Sequence, residues 1–266
     1  MSSVVFVDTK NTLDTILESI LNKQGGMYLR FGDGDYKLAM GQDDMLAKST
    51  NSLQKWMIRA MQLDDKSIML CLPHHCKELN TLEKGMCGGN HEYIFDVHVT
   101  HFLNILKHLR QGNLPNKLYT NVALSYNSYH NPARVIEVHR ALQKNCIVFW
   151  GNSSYPDDFI KKLFGSDTFR INTPVRDSFF KHDEVFAEFD TLYKTNLATK
   201  EYFIIVMAAG CAGRAFSAEL YDTYYVQKQN FFVFDYGSLI DYLSGYKSRA
   251  YMDIEPPNSE YILSNM

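Results

Sequence analysis

The sequence predicts an α/β protein with a Rossmann-like, mostly parallel sheet, helices on both faces, and a single domain over residues 1–266. Three observations carry that expectation. Short apolar runs alternate with amphipathic helical stretches along the whole chain, the pattern of strands joined by crossover helices. The most strand-like run, Glu201 to Ala208, passes straight into Gly210-Cys211-Ala212-Gly213 and a helix. At 266 residues, with 45% hydrophobic and 21% charged side chains, the chain can bury one large core.

In order, Thr9 to Asn22 reads as a helix, with Asn11 or Thr12 as its cap and Leu13, Ile16, Leu17, Ile20 and Leu21 as its stripe. Gly25-Gly26 ends it, and Met27 to Phe31 is a buried strand. Asn51 to Met61 is a helix with Leu53, Trp56, Met57 and Ala60 inward, and Ser67 to Leu72 is a strand stopped by Pro73. Residues 73–92 read as an irregular loop carrying His74, His75, Cys76, Cys87 and His91. Only the Cys87 and His91 pair comes near zinc spacing, so a mobile loop or lid is expected there in preference to a structural zinc site. Tyr93 to Leu109 is a long helix whose histidines, His98, His101 and His108, suit surface or packing positions.

Lys117 to Ala123 is the next strand, followed by a polar aromatic loop at 125–131 and a helix from Pro132 to Gln143. Cys146 to Trp150 is a strand that delivers the small polar loop Gly151-Asn152-Ser153-Ser154. Asp157 to Phe164 is a short helix, Thr168 to Asn172 a strand, and Asp183 to Tyr193 a helix. After the strand at 201–208, Ala215 to Gln227 is helical and Asn230 to Phe234 is the last core strand, ending in Asp235. The tail beyond Gly245, with Pro256-Pro257, reads as a wrap with little regular structure.

Composition excludes some functions. A net charge of −3 with no stripe of Lys and Arg disfavours a nucleic-acid backbone as the main partner. The first residues lack a basic region and a long apolar run, and Phe203 to Ala209 is too short to span a bilayer, so a cytoplasmic protein without a transmembrane segment is expected. Five cysteines at irregular spacing suit reduced thiols.

Candidate chemistry sits where strands end. Asp33 and Asp35 lie one residue apart between glycines, a pattern that suits a hard divalent cation, Mg²⁺ or Mn²⁺, held against a substrate phosphate, and equally suits a plain Asp-Gly turn. Gly210 to Arg214 puts backbone N–H groups and a fixed positive charge at a helix start, which suits phosphate, though the same glycines also permit tight strand–helix packing. A full G-x-G-x-x-G is absent, which disfavours a dinucleotide site.

Arg30-Phe31-Gly32-Asp33-Gly34-Asp35 resembles the R-F-G-D-G-E signature of the GT-D-fold glycosyltransferases, with Asp35 standing where the family has Glu. The middle of the chain, the glycine loop at 210–213 and Asp235-Tyr236-Gly237 resemble later parts of that family, whose D-x-G-H is here D-Y-G-S with Ser238 replacing the histidine. The resemblance implies transfer of a hexosyl or pentosyl unit from a nucleotide diphosphate sugar, most simply a UDP-sugar, to a glycan or glycoconjugate hydroxyl. The metal would be held by Asp33 and Asp35, and the donor by Arg30, Gly151, Asn152, Gly210, Gly213 and Arg214. Asp33, Asp35 and Asp235 are the catalytic candidates, with Asp235 as acceptor base. Two alternatives stand beside this. One is an S-adenosylmethionine-dependent methyltransferase, against which the late glycine loop and early D-x-D argue. The other is a non-catalytic carbohydrate-binding protein of the same fold.

Overall fold

The computed structural model describes residues 4–7, 9–72, 91–120, 131–226, 230–246 and 258–266. The strands are β1 (Val5–Val7), β2 (Gly26–Arg30), β3 (Ile68–Leu72), β4 (Lys117–Thr120), β5 (Ile147–Asn152), β6 (Phe169–Thr173), β7 (Phe203–Ala208) and β8 (Phe231–Asp235). They form one sheet in the order β1-β4-β3-β2-β8-β7-β5-β6. Every neighbouring pair is parallel. The helices are α1 (Thr9–Leu21), α2 (Asp33–Ala39), α3 (Asn51–Gln62), α4 (His91–Leu109), α5 (Pro132–Leu142), α6 (Asp157–Phe164), α7 (His182–Leu192), α8 (Ala212–Leu220), α9 (Leu239–Leu243) and α10 (Ser259–Asn265).

Successive strand residues point to opposite faces, and the core divides accordingly. In β7, Phe203, Ile205 and Met207 join one cluster and Ile204 and Val206 the other. The first face is covered by α2, α3, α4, α7 and α8, the second by α1, α5, α6, α9 and α10. Central strands buried on both faces read in sequence as continuous apolar runs, which is why β2, β3, β7 and β8 were visible there.

Three elements depart from expectation. The three-residue edge strand β1 pairs only with β4 and carries two exposed apolar side chains, Val5 and Phe6, too short a run to signal a strand. The D-x-D stretch is the first turn of α2, not a loop. The tail after the chain's Pro256-Pro257 forms α10, whose Ile262 is fully buried against the second face, with Arg140 donating to Asn265 O at 2.7 Å. The expected loop 73–92 up to residue 90, the strand residues 121–123 and most of the loop 125–131 lie outside the described residues. Among the described residues no helix is long and apolar enough to cross a membrane, and Cys71, Cys146 and Cys211 are free.

The connections after β2 and β7 turn to the first face, as α2 and α8, whereas that after β8 turns to the second, as α9. Neighbouring connections that diverge open a crevice at the carboxyl ends of the strands, where ligands bind in sheets of this kind.

Candidate functional site

At that crevice the ends of β2, β8 and β7 bring four charged side chains together. Asp235, the last residue of β8, is 4% exposed. Its Oδ1 accepts from Arg30 Nη2 at 2.8 Å and its Oδ2 from the Arg30 backbone N–H at 3.2 Å. Arg214, in the first turn of α8, places Nε 3.4 Å from Asp235 Oδ2 and donates from the same nitrogen to Arg30 O at 2.5 Å. Its Nη1 donates to Gly210 O, and its Nη2 lies 3.4 Å from Asp35 Oδ2. Two guanidiniums thus face two carboxylates in a buried setting, where unpaired charge is strongly disfavoured.

The two acids differ. Burial pushes the Asp235 carboxyl up, but Arg214 and Arg30 outweigh it and hold the group below its ordinary range. Burial also pushes Asp35 up, to about 6, and there the pull of Arg214 and of the Gly32 N–H does not outweigh it. The difference follows from the contacts. Asp35 has one guanidinium at 3.4 Å, accepts from Gly32 N at 2.7 Å and leaves Oδ1 buried without a partner. Its bond to Gly32 is the reciprocal half of a capping box, and it fixes the start of α2.

Asp33 and Asp35 do not converge. With one residue between them on a helix, at positions i and i+2, they face different sides. Asp33 is 68% exposed, 3.6 Å from Lys37, whereas Asp35 is buried against Arg214. A cation clamped by both carboxylates does not fit this arrangement. Asp33 by itself offers one exposed carboxylate, shared with Lys37. Among the described residues no three His, Cys, Asp or Glu side chains group as ligands.

The glycines divide in the same way. Gly210 has φ +59 and open space around its would-be Cβ, the freedom expected beside a ligand. A Cβ at Gly213 would lie 2.7 Å from Met207 Cγ, so this glycine lets α8 pack on β7. Gly151 and Asn152 belong to β5 itself instead of a loop. A Cβ at Gly151 would meet Phe149, and Asn152 Oδ1 accepts from Ser154 N at 2.8 Å. Both share the carboxyl edge but make none of the contacts of the four-charge cluster.

Sequence reasoning missed Asp44 and the role of Gly237. A Cβ on Gly34 would lie 2.7 Å from Asp44 Oδ1 and 3.0 Å from Cys211 Sγ, so Asp44 packs between the starts of α2 and α8. Nothing in the spacing of residues 41–50 signals that. Gly237, φ +66, lies against the Arg30 guanidinium. Ser238 precedes α9.

No family model matches the chain, and no curated protein does. Solved structures do. One, described as "A New Glycosyltransferase (DUF1792) from Streptococcus sanguinis", aligns with TM-score 0.63 at 17% identity over 94% of this chain and 92% of that one. A second, described as showing that the domain of unknown function 1792 "has a distinct glycosyltransferase fold", aligns with TM-score 0.57 at 16% identity over 92% and 83%. The chain is similar in fold to a glycosyltransferase. A selenomethionine form of domain 1792 gives the same picture, with TM-score 0.59 at 16% identity over 92% and 83%. The likeness to the domain-1792 proteins is one of whole fold, and it agrees with the α/β parallel sheet expected from the sequence.

Proposed function

We propose that the chain is a glycosyltransferase that moves a sugar from a nucleoside diphosphate sugar, UDP-sugars foremost, to a hydroxyl of a glycan or glycoconjugate. The observation that carries this reading is the pair of largely but not fully buried arginines, Arg30 and Arg214, at the crevice of a sheet whose fold is similar to that of a glycosyltransferase. Guanidinium groups recognise phosphate oxygens through fixed, charge-assisted hydrogen bonds. The N-terminus of α8, reached through the open Gly210, adds backbone N–H groups and the helix field.

As the bond between the sugar and the diphosphate breaks, negative charge grows on the leaving phosphate, and donors already in place stabilise it without reorganising. Mg²⁺ or Mn²⁺ held by Asp33 and the donor phosphates would supply further neutralisation there. Asp35 supports Arg214 and the α2 start. Asp235 is poorly suited to be the acceptor base, because both oxygens are engaged by guanidiniums and its carboxyl is held at low pKa.

A thermal-shift series with UDP, GDP and S-adenosylmethionine, with and without Mn²⁺, tests the reading, followed by turnover of UDP-sugars. A nucleoside diphosphate at a hundred times its Kd stabilises by about 2.7 kcal/mol, which at about 2–4 °C per kcal/mol for a chain this long raises Tm by roughly 5–11 °C. Stabilisation by S-adenosylmethionine alone would favour a methyltransferase. Binding of sugars without any response to nucleotides would favour a carbohydrate-binding protein.

A further inference from the structure

The geometry points to Asp235 and Gly237 as positioning residues that hold the Arg30 guanidinium as the anion receptor of the site, with Arg214 as a strut. The inference rests on the transferase reading only for the identity of the anion, the diphosphate of the donor.

The two arginines are not equivalent. Each Arg214 nitrogen faces a protein oxygen: Nε the Arg30 carbonyl, Nη1 the Gly210 carbonyl and Nη2 the Asp35 carboxylate. Such a side chain joins the ends of β2 and β7 and the start of α2, so it brings positive charge to the site from a braced position. Arg30 gives Nη2 to Asp235, while its Nε is buried without a partner. A buried donor with no acceptor is strongly unfavourable, and at the crevice, beside Asp235, an anion oxygen would satisfy it. Two neighbouring N–H groups of one guanidinium match two oxygens of a phosphate.

What fixes that side chain is on the segment after β8. Asp235 grips Arg30 twice, through Nη2 and through the backbone N–H. Gly237 closes the other side, since a Cβ there would lie 1.8 Å from Nη2 and 2.5 Å from Cζ. Only a hydrogen fits under the guanidinium, and φ +66 independently favours glycine. The D-x-G spacing therefore places a charge and a gap on one arginine.

Calorimetric titration with UDP and with inorganic pyrophosphate tests this, using wild type, Arg30→Gln, Asp235→Asn, Gly237→Ala and the Arg30→Gln/Gly237→Ala double variant, each checked for a native circular-dichroism spectrum. Arg30→Gln is expected to weaken both ligands at least tenfold. Asp235→Asn and Gly237→Ala weaken them in the same direction, and the double variant is no weaker than Arg30→Gln alone, because Gly237 acts through Arg30. Gly237→Ala changes no charge, so it decides the matter if Asp235→Asn does not fold. Wild-type affinity in folded Gly237→Ala, or losses that add in the double variant, overturns the positioning role. If wild type turns over UDP-sugars yet Arg30→Gln binds UDP normally, this inference falls and the transferase stands. Arg30-dependent pyrophosphate binding without turnover of any UDP-sugar leaves the anion receptor standing and removes the transferase. No binding of either ligand by wild type removes both.

Discussion

Gly210, in the turn before α8, and Gly213, in its first turn, sit three residues apart and answer to different forces. Gly213→Val forces a branched side chain onto Met207, where overpacking costs about 1–3 kcal/mol. Urea unfolding of the variant should show that loss, and an unchanged midpoint would mean α8 can lift off β7 freely. His139 shows how burial sets a pH response. It is fully buried, with Nδ1 donating to Val135 O at 2.9 Å and Nε2 accepting from the Tyr236 hydroxyl, and burial lowers its pKa to about 4. A base with a depressed folded pKa binds fewer protons folded than unfolded, so stability falls as pH drops from about 6.5 to about 4. The whole loss is on the order of 3 kcal/mol. His139→Gln removes this contribution, so wild type and variant should converge in stability as the pH falls through that window. Parallel curves would show that the imidazole protonates in place.

At the scale of elements, α3 begins at a side-chain cap, Thr50 Oγ1 accepting from Leu53 N at 3.1 Å. Thr50→Ala should lower stability by about 1 kcal/mol in denaturant unfolding. Ile262, the buried anchor of α10, should cost roughly 2–5 kcal/mol on truncation to alanine if the helix is docked in solution, and close to nothing if it is not. The central strands and long helices were legible because a periodicity of 2 or 3.6, or an unbroken apolar run, survives in the chain. Helix α2 was not. Gly-Asp-Gly-Asp has the composition of a turn, and the helix exists because Asp35 caps Gly32 and because Tyr36 and Leu38 find a core supplied by distant residues. The candidate site was legible as a set of charges but not as a set of partners. That Asp33 faces solvent while Asp35 meets Arg214 follows from the helix, and that Asp235 serves arginines follows from β8 lying beside β2.

For the whole molecule, all eight strands share one sheet, and β2 lies in its middle between β3 and β8. Such a sheet should unfold as one unit. Fluorescence of the two tryptophans, half-buried Trp56 on α3 and buried Trp150 on β5, should therefore report the same thermal midpoint as far-ultraviolet circular dichroism. Separate midpoints would divide the chain into independently folding parts. The same central placement has a consequence for the chain as it is made. Arg30 and Asp235 stand 205 residues apart, so at a translation rate of about 5–20 residues per second β2 waits roughly 10–40 s for β8. During that time one edge of the central strand lies open and Arg30 has no counter-charge. At that stage β2 can pair with β3 but not with β8, so the grip of Asp235 on Arg30 forms only after the strand that carries it has been made.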